Sequence, residues 1–189
     1  MITSFYSEQE LSELGFRSFG KNVQVSRKCS IYGAENITLG SNVRIDDFSI
    51  LSGRITIGSY VRVGPLCCLC GGQSGIEVND YSGISSRCAI YAVSDDYSGN
   101  AFANPTIPLK FRNVTDAKVI LGKYTSLGTG STVLPGVTIE EGVSVGSMSL
   151  VRKSLEPWAV YIGIPCRKLK ERSRKIIELE QELLKETNS

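Results

Sequence analysis

Counted by sixes from Leu39, aliphatic side chains fall at Leu39, Ile45, Leu51, Ile57, Val63 and Leu69. Ile, Leu and Val make up 48 of the 189 residues, so six consecutive hits in one register would arise by chance roughly once in several thousand trials. The register returns after Gly71–Gly75 as Val78, Ile84 and Ile90. It returns again, after a longer break, as Leu121, Leu127, Val133, Ile139, Val145 and Val151. The next position is often Gly, Asn, Asp or Ser, as at Gly40, Asp46, Gly58, Gly64, Asn79, Gly122, Gly128 and Gly146. Such residues are expected to accept tight or left-handed backbone. Four places after the aliphatic residue come small or β-branched side chains such as Val43, Ser49, Cys67, Ser82, Cys88 and Ser131, which suit a crowded interior. A short strand and a turn every six residues predict an all-β solenoid, each rung burying the ladder of its neighbours. The strict phasing sets it apart from an ordinary barrel or sandwich.

Two helices and a loop frame the repeat. Ser7-Glu8-Gln9-Glu10 fits a capping box, with Leu11 and Leu14 on one side and Gly15 as the stop, so residues 1–20 are expected to form a helical cap. Residues 21–166 are the solenoid. From about Lys168, Leu169, Ile176, Ile177, Leu179, Leu183 and Leu184 recur among mixed charges at helical spacing, predicting an amphipathic C-terminal helix over 167–189. The break 94–118 carries two prolines, aromatic residues and the pair Asp95-Asp96. A solenoid that abandons its repeat for this long does so for an extruded binding loop.

Composition narrows the partners. The formal charge is +2, from 21 basic and 19 acidic residues, which supplies no global field for nucleic acid or a membrane surface. No stretch approaches the roughly 18 apolar residues of a membrane span and the start has no secretory signal pattern, so the expectation is a cytoplasmic protein without membrane insertion. Cysteines stand at 29, 67, 68, 70, 88 and 166, but the chain has no histidine and no second separated cysteine pair. Free thiols, with no metal, are therefore expected. Gly128-Thr129-Gly130 sits inside the ladder rather than at a strand-to-helix turn, which excludes a dinucleotide fold.

Over about Val23 to Lys170 the pattern resembles the hexapeptide-repeat, left-handed β-helix acyltransferases, closest in appearance to those that acetylate sugars and nucleotide sugars for surface polysaccharide. The resemblance implies a left-handed parallel β-helix with three hexads per coil, acetyl-CoA as co-substrate, and a homotrimer with active sites between subunits. Leu155 to Lys168 resembles the family's closing signature. Gly163 and Pro165 lie in its turn, and Arg167, Lys168 and Lys170 follow as phosphate partners. The pantetheine arm is then expected along Gly128, Thr129, Gly130, Gly146 and Ser147.

Many relatives use a histidine to take the proton from an acceptor hydroxyl. The positions matching it hold Gly130 or, after Tyr60-Val61, Arg62. A hydroxyl needs a base to attack a thioester, whereas a neutral amine already carries a lone pair. The expected reaction is therefore N-acetylation of a nucleotide-linked amino sugar such as dTDP-4-amino-4,6-dideoxyglucose. Asp95 and Asp96 are expected to orient or deprotonate the amine, Tyr97 and Phe102 to pack on sugar or base, and Arg62 and Glu77 to contact substrate. The alternatives are a sugar O-acetyltransferase and a non-catalytic β-helix scaffold.

Overall fold

The structure, a computed structural model, describes residues 4–187. The outermost ends of the expected cap and C-terminal segments, residues 1–3 and 188–189, lie outside the described residues. The chain winds as a left-handed parallel β-helix of about seven turns. Its first sheet stacks Ser18–Phe19, Ile37–Leu39, Ile55–Ile57, Ile76–Val78, Val119–Leu121 and Thr138–Ile139. The second stacks Gln24–Val25, Arg44–Ile45, Arg62–Val63, Gly83–Ile84, Ser126–Leu127 and Ser144–Val145, and ends on Ala159–Gly163 and Cys166–Glu171. The third stacks Ser30–Tyr32, Ile50–Ser52, Cys68–Cys70, Ala89–Tyr91, Thr132–Val133 and Leu150–Val151.

Each of the fifteen ladder residues read from the sequence is no more than 2% exposed. Leu39 pairs with Ile57, Ile57 with Val78 and Val78 with Leu121. The extra residues at 71–75 and 94–118 are thus pushed out as loops while the register is kept. The inward corner side chains close the polar accounts. Ser49 Oγ donates to the Gly64 carbonyl at 3.0 Å, Ser131 Oγ to the Gly146 carbonyl at 3.0 Å, and the Cys67 and Cys88 thiols to the carbonyls of Ser85 and Gly128 at 3.0 and 3.2 Å. Buried cysteine here does the work of a small hydroxyl.

One local expectation is corrected. The glycines after the ladder residue are not left-handed; they permit close approach of the next rung. A Cβ on Gly122 would lie 2.7 Å from the Glu141 nitrogen, and one on Gly128 2.4 Å from the Ser147 nitrogen. The left-handed position comes two residues later and holds Phe48, Tyr60, Leu66, Tyr81, Arg87, Tyr124 and Met148, with φ between 56° and 62°. Such backbone costs roughly 1–2 kcal/mol per residue. At the corner between the first and second sheets stacking offsets it: Tyr60, Tyr81, Tyr124 and Trp158 follow one another at 4.9, 5.8 and 6.0 Å between ring centroids.

At the N-terminus α1, Glu8–Glu13, carries the capping box at Ser7 and Glu10 and buries Leu11. The C-terminal helix is shorter than its charge pattern suggests. Cys166–Glu171 folds back antiparallel on Ala159–Gly163, and α2 spans Ile176–Thr187. Exposed strand ends require pairing, and this return strand supplies it for the last coil. Helix α2 lies along the aromatic corner, where Glu180 accepts hydrogen bonds from Lys123 Nζ at 2.8 Å and from the Tyr124 hydroxyl.

Candidate active site

The long loop is anchored on both sides. Val93–Ser94 pairs antiparallel with Thr115–Asp116. Asp116 then accepts the backbone N–H groups of Gln73 and Ser74, both at 2.9 Å, while Ser74 Oγ donates to the Asp116 carbonyl at 3.0 Å. The short irregular piece at 71–75 is therefore an anion-binding nest for a carboxylate of the chain itself. Burial pushes the Asp116 carboxyl up, but these donors outweigh it and hold its pKa below the ordinary value.

Between those anchors the two candidate carboxylates have different surroundings. Asp95 is mostly buried and ion-paired with Arg112 Nη2 at 2.7 Å, the side chains being 18% and 16% exposed. Arg112 Nε is buried without a partner. Asp96 accepts the Ser98 N–H at 2.7 Å and Asn113 Nδ2 at 3.0 Å. Ser98 above all, with Asn113, holds its carboxyl below the usual range. That is a turn cap, and an acidified carboxylate is a weaker proton acceptor. Tyr97 is 85% exposed and Phe102 58%. Phe102 lines a cleft of about 560 Å³ inside the loop, together with Asn100, Lys110, Phe111, Arg112 and Asn113. The loop thus joins Asp95, Asp96 and Phe102 to residues that sequence reasoning passed over, Arg112 above all. The only signal for them was their place in the same insertion.

Arg62 and Glu77 are not part of that grouping. Arg62 lies on the second sheet beside Arg44, and both grip Asp46: Arg62 Nη2 at 2.7 Å, Arg44 Nε at 2.6 Å. Glu77 lies on the first sheet, paired with Lys118 at 2.6 Å. Within one chain they face different sides of the solenoid.

The expected coenzyme residues do come together. Along the corner between the second and third sheets, Gly130 N donates to Ser86 O at 3.0 Å and Met148 N to Thr129 O at 2.8 Å. Further along, Gly146 N donates to Tyr161 O at 2.7 Å, and Gly163 N to Ser149 Oγ at 3.0 Å. Gly128 to Gly130, Gly146, Ser147 and Gly163 thereby lie along one continuous strip, with the exposed Met148 side chain over Gly130 and that of Ile162 over Gly146. At its end Pro165 sits at the tip of the closing hairpin and the exposed Arg167, Lys168 and Lys170 on its return strand. Arg167 shares a cleft of about 230 Å³ with Arg152 and Lys153, two cations not singled out from the sequence. Among the described residues no group of three or more Cys, Asp, Glu or His could hold a metal ion.

A parallel β-helix with a sixfold repeat, an extruded carboxylate-bearing loop and a basic closing hairpin defines a hexapeptide-repeat acyltransferase. No family model matches the chain. It is 41% identical over 180 residues to dTDP-4-amino-4,6-dideoxy-D-glucose acyltransferase of Escherichia coli, covering 94% of this chain and 93% of that protein. It is 53% identical to AntD, an N-acyltransferase from Bacillus cereus solved with dTDP and 3-hydroxybutyryl-CoA, covering 100% of both chains at a TM-score of 0.97. A lipopolysaccharide O-acetyl transferase, WbbJ of Escherichia coli K12, is 29% identical over 75% of the chain and 72% of its own length. The chain belongs to the hexapeptide-repeat sugar acyltransferase family that these relatives represent, and it is an enzyme.

Proposed function

We propose that the protein transfers an acetyl group from acetyl-CoA to the amine of a nucleotide-linked amino sugar, such as dTDP-4-amino-4,6-dideoxyglucose, for surface polysaccharide. The observation that carries this reading is the loop carboxylate Asp95, held by Arg112 in a chain that has no histidine. An amine attacks the thioester carbonyl with its own lone pair; the N–C bond forms, the C–S bond breaks, and one proton must leave the nitrogen. Asp95 is the group assigned to orient the amine and receive that proton, and Asp96 to hold the turn beside it. AntD was also crystallised as variants of a serine and an aspartate ten positions apart. Here that spacing occurs at Ser85–Asp95 and Ser86–Asp96, where the loop and the glycine strip are linked through the third sheet.

Coenzyme A is assigned to the strip from Gly128 to Gly163, where glycine backbone flanked by the exposed Met148 and Ile162 suits the pantetheine arm and Arg167, Lys168 and Lys170 supply positive charge for phosphate. The protein is further read as a cytoplasmic homotrimer with active sites between subunits. Tyr32, Phe48, Ile50 and Leu66 are exposed on the third sheet and the adjoining corner, and an acyl-CoA donor together with six free cysteines in the chain suits the cytoplasm. No helix among the described residues is long and apolar enough to cross a membrane.

A paired assay tests the reaction. With acetyl-CoA, the dTDP-linked amino sugar is acetylated and its hydroxyl analogue is not; acetylation of the hydroxyl compound alone would establish the O-acetyl reading instead. Because AntD was solved with 3-hydroxybutyryl-CoA, a longer acyl donor is the second reading. Preference for it over acetyl-CoA in the same assay would replace the acetyl assignment.

A further inference from the structure

Resting on that reaction, the two ends of the acyl donor can be ordered along the glycine strip. Arg167, Lys168 and Lys170 lie at the closing hairpin, so the phosphates belong at that end and the acyl thioester at the other. From the hairpin the rungs run through Ile162, Gly146, Gly128 and Ser85. Gly146 N donates to Tyr161 O, Gly128 N to Val145 O and Ser85 N to Leu127 O, at 2.7, 2.7 and 3.0 Å. The acyl end therefore falls near Gly128 to Gly130 and Ser85.

At that end the corner carries a column of residues with one missing side chain. Phe48, Leu66, Arg87, Gly130 and Met148 all hold the left-handed conformation, with φ of 61°, 62°, 60°, 73° and 56°. They occupy successive rungs: Leu66 N donates to Asp47 O, Arg87 N to Pro65 O and Gly130 N to Ser86 O, each at 3.0 Å, and Met148 N to Thr129 O at 2.8 Å. Gly130 leaves a slot in this column, and Met148 closes it. The Met148 sulfur lies 2.5 Å from where a Cβ on Gly130 would stand, with Cγ and Cε at 3.8 and 3.9 Å. Met148 is nevertheless 66% exposed, and its unbranched side chain turns about three bonds.

We propose that the slot over Gly130 receives the acyl group of the donor and that Met148, as its movable wall, sets the acyl length the enzyme accepts. The methyl of an acetyl group fits beside the thioether. A four-carbon chain has to take the volume that the Met148 sulfur fills. Growth in the opposite direction meets the exposed Arg87, and a guanidinium is a poor neighbour for an apolar chain. Because the wall is flexible, the selection is graded: a single methylene in an apolar pocket is discriminated by about 10- to 200-fold. Ile162 is the matching control. Its Cδ1 and Cγ1 lie 3.2 Å from the Cβ position of Gly146, one rung nearer the hairpin, where only the pantetheine arm passes.

Steady-state kinetics with dTDP-4-amino-4,6-dideoxyglucose as acceptor and acetyl-CoA or butyryl-CoA as donor tests this in wild type, Met148→Ala, Met148→Leu and Ile162→Ala. In Met148→Ala, kcat/KM for butyryl-CoA relative to acetyl-CoA is expected to rise about tenfold or more. Met148→Leu, of similar volume, should stay near the wild-type ratio. Ile162→Ala should weaken both donors alike and leave their ratio unchanged. The ratio is internal to each variant, so partial misfolding of Met148→Ala lowers both rates without moving it. An unchanged ratio in Met148→Ala overturns the slot while the reaction stands. An equal shift in Ile162→Ala overturns it too, by moving the acyl group to Gly146. A wild type that prefers butyryl-CoA overturns the closure by Met148 and replaces the acetyl assignment. A wild type that acylates the amino sugar from neither donor sinks the reaction and the slot together.

Discussion

At the scale of single residues, the rung spacing rather than backbone dihedrals decides where glycine is needed. Gly122→Ala places a Cβ 2.7 Å from the Glu141 nitrogen, whereas a Cβ on Gly83 meets nothing within 4 Å. The first change is expected to destabilise by about 1–3 kcal/mol through forced backbone shifts. The second is expected to be neutral or to stabilise by up to about 1 kcal/mol by restricting the unfolded chain. Thermal unfolding of the two variants side by side checks the pair. Asp95→Asn removes the proton acceptor but can keep a hydrogen bond to Arg112. It should lower kcat by about 10²-fold or more with little change in the KM for acyl-CoA, and Asp96→Asn should do much less. Steady-state kinetics with both substrates varied separates these outcomes. The carboxylates were legible in the sequence because paired acids stand out in a broken repeat. Arg112 was not, because a lone arginine in a loop gives no sign of which carboxylate it will meet. The left-handed corner was misassigned because Phe48, Tyr60, Leu66 and Tyr81 are residue types that single-residue preference places elsewhere.

At the scale of elements, the loop depends on a clamp remote from its tip. Asp116 is held by amides of the 71–75 insertion, and Gly72, with φ of 54°, leaves only 2.9 Å between a hypothetical Cβ and the Asp116 carboxylate. Because the folded-state pKa of Asp116 is depressed, the clamp is fully present above the ordinary aspartate value of about 3.9 and is lost as pH falls through the lower folded value. Amide exchange at Thr115 to Ala117, corrected for intrinsic rates, should therefore accelerate below about pH 4. In Asp116→Asn the same amides should exchange quickly at pH 7. Slow exchange in that variant would show that the strand pair alone holds the loop. Helix α2 gives a second test. Trp158, the single tryptophan, is 7% exposed and lies beside Tyr124 and under Arg174. Deleting residues 174–189 uncovers the aromatic corner, so Trp158 emission should shift to the red and the melting temperature fall. Of these elements, the capping box of α1 was readable to the residue. The return strand Cys166–Glu171 was not, because Arg167, Lys168, Leu169 and Lys170 fit a helix face as well as a strand until the last coil demands a partner.

At the scale of the molecule, a solenoid is nearly one-dimensional: each coil is supported only by its neighbours, and the fold could be read because one six-residue rule repeats through every rung. Association leaves no comparable period, since it depends on which outward side chains coincide after winding. The third sheet and its corner bring Tyr32, Phe48, Ile50 and Leu66 to one side at 61%, 57%, 39% and 49% exposure. The outward positions of the second sheet, in contrast, hold Arg44 and Arg62. A cluster of exposed apolar side chains of this kind is what a symmetric assembly covers. Light scattering should therefore give a mass of about 62 kDa, three times the 20.6 kDa chain. Ile50→Glu combined with Leu66→Glu would bury uncompensated charge at that face and should shift the protein to monomer. If the active sites lie between subunits, turnover falls with the trimer fraction and recovers as protein concentration is raised. Full activity in a monomeric double variant would place the whole site within one chain, between the loop and the glycine strip of the same solenoid.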